Sequence, residues 1–201
     1  MIYLTRDSES GFTLAEFLTS AFILLVISAS AFQELSDTQS SAAYQSEVQA
    51  VLDNTRIAMQ LIERHIRQAG NDPFGTGMSG ITIISDTQLR IRSDITGSAG
   101  TSNPDKGDPD GDIADAYEDV TIRYNESTRT LELIPGSSSA QTVAYISGLS
   151  LQYFDENGNA TAVDSEVRKI RVSISGSSQK PNPQTHEQFG WQITSEIEIA
   201  T

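Results

Sequence analysis

The chain of 201 residues contains no cysteine, which excludes disulfide staples, thiolate metal sites and cysteine nucleophiles together. Cations are scarce: 13 Lys and Arg against 27 Asp and Glu give a formal net charge of −14. That balance removes any general affinity for nucleic acid or anionic lipid. Histidine is limited to His65, beside Arg64 in a helical pattern, and His186, in a loop with Pro181 and Pro183. Both read as surface residues rather than catalytic ones. No Gly-x-Ser-x-Gly elbow, phosphate-binding glycine loop or His-Glu-x-x-His stretch occurs, so the chain is not expected to be an enzyme.

What is present is one long apolar run. From Phe12 to Phe32, 21 residues, the only formally charged side chain is Glu16. As helix at about 1.5 Å per residue the run reaches roughly 31 Å, the thickness of a bilayer's hydrocarbon. A carboxylate in such a span is expensive and points to a functional group with a specific partner. Arg6 precedes the run and the next Lys or Arg is Arg56. The positive-inside bias therefore puts the N-terminus in the cytoplasm and the bulk of the chain outside the inner membrane.

Past Phe32 the chain turns polar, yet no Pro or Gly interrupts it before Gly70. Tyr44, Val48, Leu52, Thr55, Met59, Ile62, Ile66 and Ala69 recur at spacings of three and four, the stripe of an amphipathic helix packed on a core. Gly70-Asn71-Asp72-Pro73 is the stop signal: a glycine for the left-handed cap, then a proline that cannot continue the helix. The pattern predicts one helix from Phe12 to Ala69, or two helices broken in the serine- and threonine-rich stretch Ser36 to Ser41.

After Pro73 the apolar period changes from 3.6 to 2. Alternation at Ile81 and Ile83, Leu89 and Ile91, Val120 to Tyr124, Leu131 and Leu133, Val143 and Tyr145, Leu149 to Tyr153, Ile170 to Ile174, and Trp191 to Ile199 predicts strands with one buried face. Turns at Asn125-Glu126-Ser127-Thr128 and Asp155-Glu156-Asn157-Gly158 suit hairpins. The expected fold is α+β: a long N-terminal helix, membrane half plus amphipathic half, packed on an antiparallel β-sheet. The expected organisation is a leader over residues 1–11, a membrane helix over 12–32, an amphipathic helix over 33–70 and a sheet domain over 71–201. Loops at 93–116 and 176–188, rich in Gly, Ser, Asn and Pro, would carry surface specificity.

The densest polar cluster is Asp105, Asp108, Asp110, Asp112 and Asp115, followed by Glu118 and Asp119. Asp108-Pro109-Asp110-Gly111-Asp112 is similar to the start of a calcium loop, which makes Asp108, Asp110 and Asp112 candidate ligands. Ile113 stands where an EF-hand needs glycine, and a solvated acidic loop is the competing reading. Ala29-Ser30-Ala31 is a small-x-small site after an apolar core, so a secretory signal peptide cut after Ala31 is the competing account of the N-terminus. Glu16 inside the run, a leader with Asp7 and Glu9 against Arg6, and the continuing helical pattern weigh against it.

Gly11-Phe12-Thr13-Leu14-Ala15-Glu16, with the apolar and amphipathic stretches behind it, resembles the N-terminus of type IV pilins and type II secretion pseudopilins. The resemblance implies that prepilin peptidase cuts between Gly11 and Phe12 and methylates Phe12. It implies that Glu16 meets the N-terminal ammonium of a neighbouring subunit during assembly. Leu61-Ile62-Glu63-Arg64-His65-Ile66-Arg67-Gln68-Ala69-Gly70 is similar to the helix end of PilW-like minor pilins. Leu149 to Gly158 and Val167 to Val172 look like that group's strand, turn and strand. Two departures stand out: the leader is acidic where the family's is usually basic, and Gln33 replaces a proline common in major pilins. The implied function is a minor pilin that enters or primes a type IV pilus used in adhesion or motility, with other pilins as partners. It would reside in the bacterial inner membrane before assembly and in the pilus after it, with the sheet domain facing the periplasm or the exterior. A secretion pseudopilin and a secreted or anchored calcium-binding adhesion module are the alternatives. No cofactor is implied beyond the calcium of the acidic loop.

Overall fold

The computed structural model describes residues 13–97, 107–115, 117–136 and 139–199. The fold is α+β: helix α1, Leu14–Gln68, is followed among the described residues by eight antiparallel strands in two sheets. The chain divides into two compact units, one ending at Ala43 and the other running from Tyr44 to Thr201.

In the first unit α1 starts at Leu14, and Phe12 lies outside the described residues. Helix continues through Ser36–Ser41 without the alternative break. Thr38 Oγ1 and Ser40 Oγ donate to the carbonyls of Glu34 and Ser36, both at 2.8 Å. These hydroxyls bond back to their own helix and do not pull the backbone into a turn.

In the second unit α1 buries Val51, Thr55, Ala58, Met59, Ile62, His65 and Ile66. The expected stripe is therefore turned: Tyr44, Val48 and Leu52 are half-buried, and Val51, Ala58 and His65 take the centre. Gly176 on the facing strand is the cause. A Cβ there would lie 2.4 Å from Thr55 Oγ1 and 3.0 Å from Val51 Cγ1, so the missing side chain admits the helix at those two residues. His65, expected at the surface, is only 5% exposed. It follows Ala58 by seven residues and Ile62 by three, which places it on the same buried face.

The helix ends where Gly70 adopts φ 76°, the left-handed cap its sequence signalled. Gly70 N–H donates to the Arg92 carbonyl at 3.0 Å and Arg92 N–H to Gly80 at 2.9 Å. Glycine is required at 80 as well, since a Cβ there would stand 2.2 Å from the Gly70 nitrogen.

The first sheet is a meander in the order β1 (Ile81–Ser85), β2 (Gln88–Arg92), β3 (Asp119–Asn125), β4 (Thr130–Pro135) and β5 (Gln141–Val143). The second joins β6 (Ile146–Phe154), β7 (Lys169–Pro181) and β8 (Gln188–Glu198). The alternation holds: Leu89, Ile91, Val120, Ile122, Leu131 and Leu133 from the first sheet meet Leu149, Leu151, Ile170, Val172, Ile174 and Ile197 from the second in one core with Ala58, Ile62 and Ile66. Period-2 patterning marks strands but not their partition, so the division into two sheets is a structural finding. Tyr145, at φ 64°, turns the chain from one sheet to the other. Leu151 N–H to the Asp86 carbonyl at 2.7 Å and Ile83 N–H to Asp164 Oδ1 at 2.9 Å stitch the sheets together.

Asn125 closes the β3–β4 hairpin by accepting from Ser127 N–H at 3.1 Å and Ser127 Oγ at 2.7 Å. Asp155 caps its turn in the same way, accepting from Asn157 and Asn159 N–H at 2.9 and 2.8 Å. That turn leads into a bridge from Phe154 to Ala160 and a 3-10 turn at Asp164–Glu166 before β7, so it is not a direct hairpin. Trp191, on edge strand β8, is half-exposed rather than inward.

Candidate functional site

Thr13 and Glu16 form a capping box at the start of α1. Glu16 N–H donates to Thr13 Oγ1 at 3.3 Å, and Thr13 N–H and Oγ1–H donate to Glu16 Oε2 at 2.9 and 2.8 Å. Two otherwise orphaned backbone donors of the first turn are satisfied reciprocally. The carboxylate also sits at the positive end of the helix dipole. Glu16 thus has a partner in its own chain, which the family resemblance does not supply. The signal was present as Thr-x-x-Glu ahead of an apolar run. Glu16 Oε1 accepts no hydrogen bond among the described residues and remains open to a second donor.

Behind the cap, apolar side chains project all round the helix, from Leu14 at 78% exposed to Phe32 at 72%. This stretch is long and apolar enough to cross a membrane, and none of its most apolar window is buried within the chain. Thr19 Oγ1 donates to the Ala15 carbonyl and Ser30 Oγ to the Val26 carbonyl, each at 3.0 Å. These hydroxyls need no water, the condition for placing them in hydrocarbon. Gly11 and Phe12, the expected processing residues, lie outside the described residues.

The acidic loop is organised by two buried carboxylates. Asp94, 1% exposed, accepts from Asp110 N–H at 3.2 Å and Gly111 N–H at 2.9 Å. Glu118, fully buried, accepts from Ile95 and Thr96 N–H at 2.9 Å and from Asp115 N–H at 3.2 Å. Asp94 carried no sequence signal, and Glu118 was indistinguishable from its acidic neighbours. Of the candidate ligands, Asp110 accepts from Asp112 N–H at 3.2 Å and Asp112 from Ala114 N–H at 2.8 Å. Asp108 lies on the same exposed stretch, and Asp105 lies outside the described residues. Among the described residues no group of three or more His, Asp or Glu side chains is placed to hold a metal ion. Asp115 Oδ2 is buried and has no hydrogen bond among the described residues. Burial, then the charges of Asp110, Glu118, Asp112 and Asp94, push its carboxyl above the usual aspartate range.

Ion pairs tie neighbouring strands together in both sheets. Arg90 Nε donates to Asp119 Oδ1 at 2.7 Å, Arg123 Nε to Glu132 Oε2 at 3.0 Å and Arg171 Nε to Glu196 Oε1 at 2.9 Å. His186, at φ 59°, is exposed on the β7–β8 loop, as expected.

Comparison with protein-family models, with curated proteins and with solved structures finds no match for this chain.

Proposed function

We propose that this protein is a minor pilin, a non-enzymatic subunit that enters or primes a type IV pilus through its N-terminal helix. One observation carries the reading: a Glu-bearing apolar helix start, exposed on every side, belongs to the same helix that packs farther on against antiparallel sheets. Such a surface requires hydrocarbon or the apolar helices of neighbouring subunits to cover it. In an assembled filament both are met in turn, first by the inner membrane and then by other pilins. Glu16 Oε1 is left to take the processed N-terminal ammonium of an adjoining subunit, a charge pair that fixes register where few other polar contacts exist. Prepilin peptidase is the implied processing partner.

Deletion of the gene tests the reading. Loss of surface pili with protein export intact is the expected outcome. Loss of export with pili intact assigns the chain to a secretion pseudopilus, and no defect in either contradicts filament assembly.

A further inference from the structure

Cations are in short supply in this chain, with 13 Lys and Arg against 27 Asp and Glu, yet two arginines near the end of α1 have no anion among the described residues. Arg64 and Arg67 make no hydrogen bond or ion pair among the described residues, whereas Arg90, Arg123 and Arg171 each bind a carboxylate. Arg64 lines a cavity of about 350 Å³ with His65, Gln68, Ile95, Tyr117 and Gln141. Among the described residues no carboxylate lines it.

Three features make this a built site rather than a gap between side chains. His65 is 5% exposed and has no hydrogen-bond partner among the described residues. It lines the cavity beside Arg64. Tyr117 is held at φ 71°, a left-handed conformation that L-residues rarely adopt, and its ring is half-exposed at the cavity edge. Its hydroxyl accepts Gln141 Nε2–H at 2.9 Å, which leaves its own proton to donate.

The lining is thus a set of donors, Arg64, Gln68, Tyr117 and His65, beside an apolar wall of Ile95 and the Tyr117 ring. A second cleft of about 490 Å³, with Arg67, Gly70 and Pro73, shares Gln68 and Ile95 with it. Asp72 lies in that second cleft, but its carboxylate is taken by Thr76 and Gly77 N–H at 2.9 and 2.8 Å. Two adjoining clefts, each with an unpaired arginine, suit an extended chain with spaced carboxylates better than a compact acid.

We propose that the two clefts bind an acidic peptide segment, with one carboxylate on Arg64 in the His65–Tyr117 cavity and a second on Arg67. The donor, a neighbouring subunit's acidic loop, rests on the pilin reading. Carboxylate binding itself does not, so it is testable whatever the fate of the N-terminus. Burial first and the Arg64 charge second hold His65 below its usual range, so the ring is neutral at pH 7 until a carboxylate arrives.

The test is a titration of the full-length protein in detergent, followed by the ring resonances of labelled His65. Hexaglutamate, acetate and inorganic phosphate are the probes. Hexaglutamate is expected to shift the resonances saturably and to raise the His65 pKa, with acetate and phosphate at least about tenfold weaker, because each is a single anion that engages one arginine rather than two. Arg64→Gln should weaken hexaglutamate by about tenfold. Arg171→Gln, whose guanidinium is already paired to Glu196, should leave binding unchanged. No saturable shift, binding of phosphate or acetate as tight as the peptide, or an Arg64→Gln variant that binds normally while retaining native circular dichroism would each overturn the proposal.

Discussion

Glu16 Oε2 accepts both the backbone N–H and the hydroxyl of Thr13, so the carboxylate that the apolar helix carries is also the piece that closes its first turn. Two roles, capping and charge pairing, converge on one side chain. They are separable. Glutamine at the third helical position can still reach back to the Thr13 N–H but carries no charge.

Glu16→Gln should therefore leave the protein in the membrane and abolish most incorporation into pili. Thr13→Ala loses the hydroxyl cap, worth about 0.5–2 kcal/mol of helix stability, but keeps the charge and should incorporate well. Quantifying the subunit in sheared filaments checks both. Normal incorporation of Glu16→Gln removes the pairing mechanism.

Gly176 supports a second prediction. Adding a side chain there drives into Thr55 Oγ1 and Val51 Cγ1 on α1 and approaches the Tyr145 carbonyl at 3.1 Å. Gly176→Ala should destabilise the sheet domain by about 1–3 kcal/mol, as overpacking does. Thr55→Ala in the same chain should recover part of that loss, since it removes the atom that clashes first. Thermal unfolding of the four-member cycle measures the coupling, and additive losses would refute the contact.

How far the sequence reveals this fold depends on how local each signal is. The Gly70 cap, the Asn125 turn and the alternation of Ile170, Val172 and Ile174 are local, and the structure has them where the pattern places them. The rotation of α1 toward Val51 and His65 depends on Gly176, which is distant in sequence and has no side chain to give it away. The burial of Asp94 and Glu118 is equally invisible, because only folding brings the N–H groups of residues 95–96, 110–111 and 115 around them. The Thr13–Glu16 box has a short-range Thr-x-x-Glu signal, which reading Glu16 only as a charge awaiting another subunit passes over.

Asp115 and Asp119 should respond to pH in opposite senses. The Asp115 carboxyl is raised by burial and neighbouring carboxylates, so its charged form destabilises the fold above the usual aspartate pKa of about 3.9, and the penalty disappears below it. Asp115→Asn should raise the melting temperature at pH 7 and have no effect near pH 3, in urea or thermal melts that follow tryptophan fluorescence. An equal effect at both pH values contradicts the electrostatic cause.

Asp119 is the reverse case. Its hydrogen bond from Arg90 holds its carboxyl below the usual range, so the stability it contributes is present above about pH 4 and lost as pH falls through the lowered value. Arg90 is partly exposed, and water screening limits the contribution to roughly 0.5–1 kcal/mol. Asp119→Asn should cost that much at pH 7 and nothing in strong acid.

The most direct measurement of the central claim is the intact mass and N-terminal residue of the protein purified from its own cells. The filament account predicts a chain that begins at Phe12 and carries one added methyl group. A chain that retains residues 1–11, or one that starts at Phe32 without the apolar helix, contradicts it.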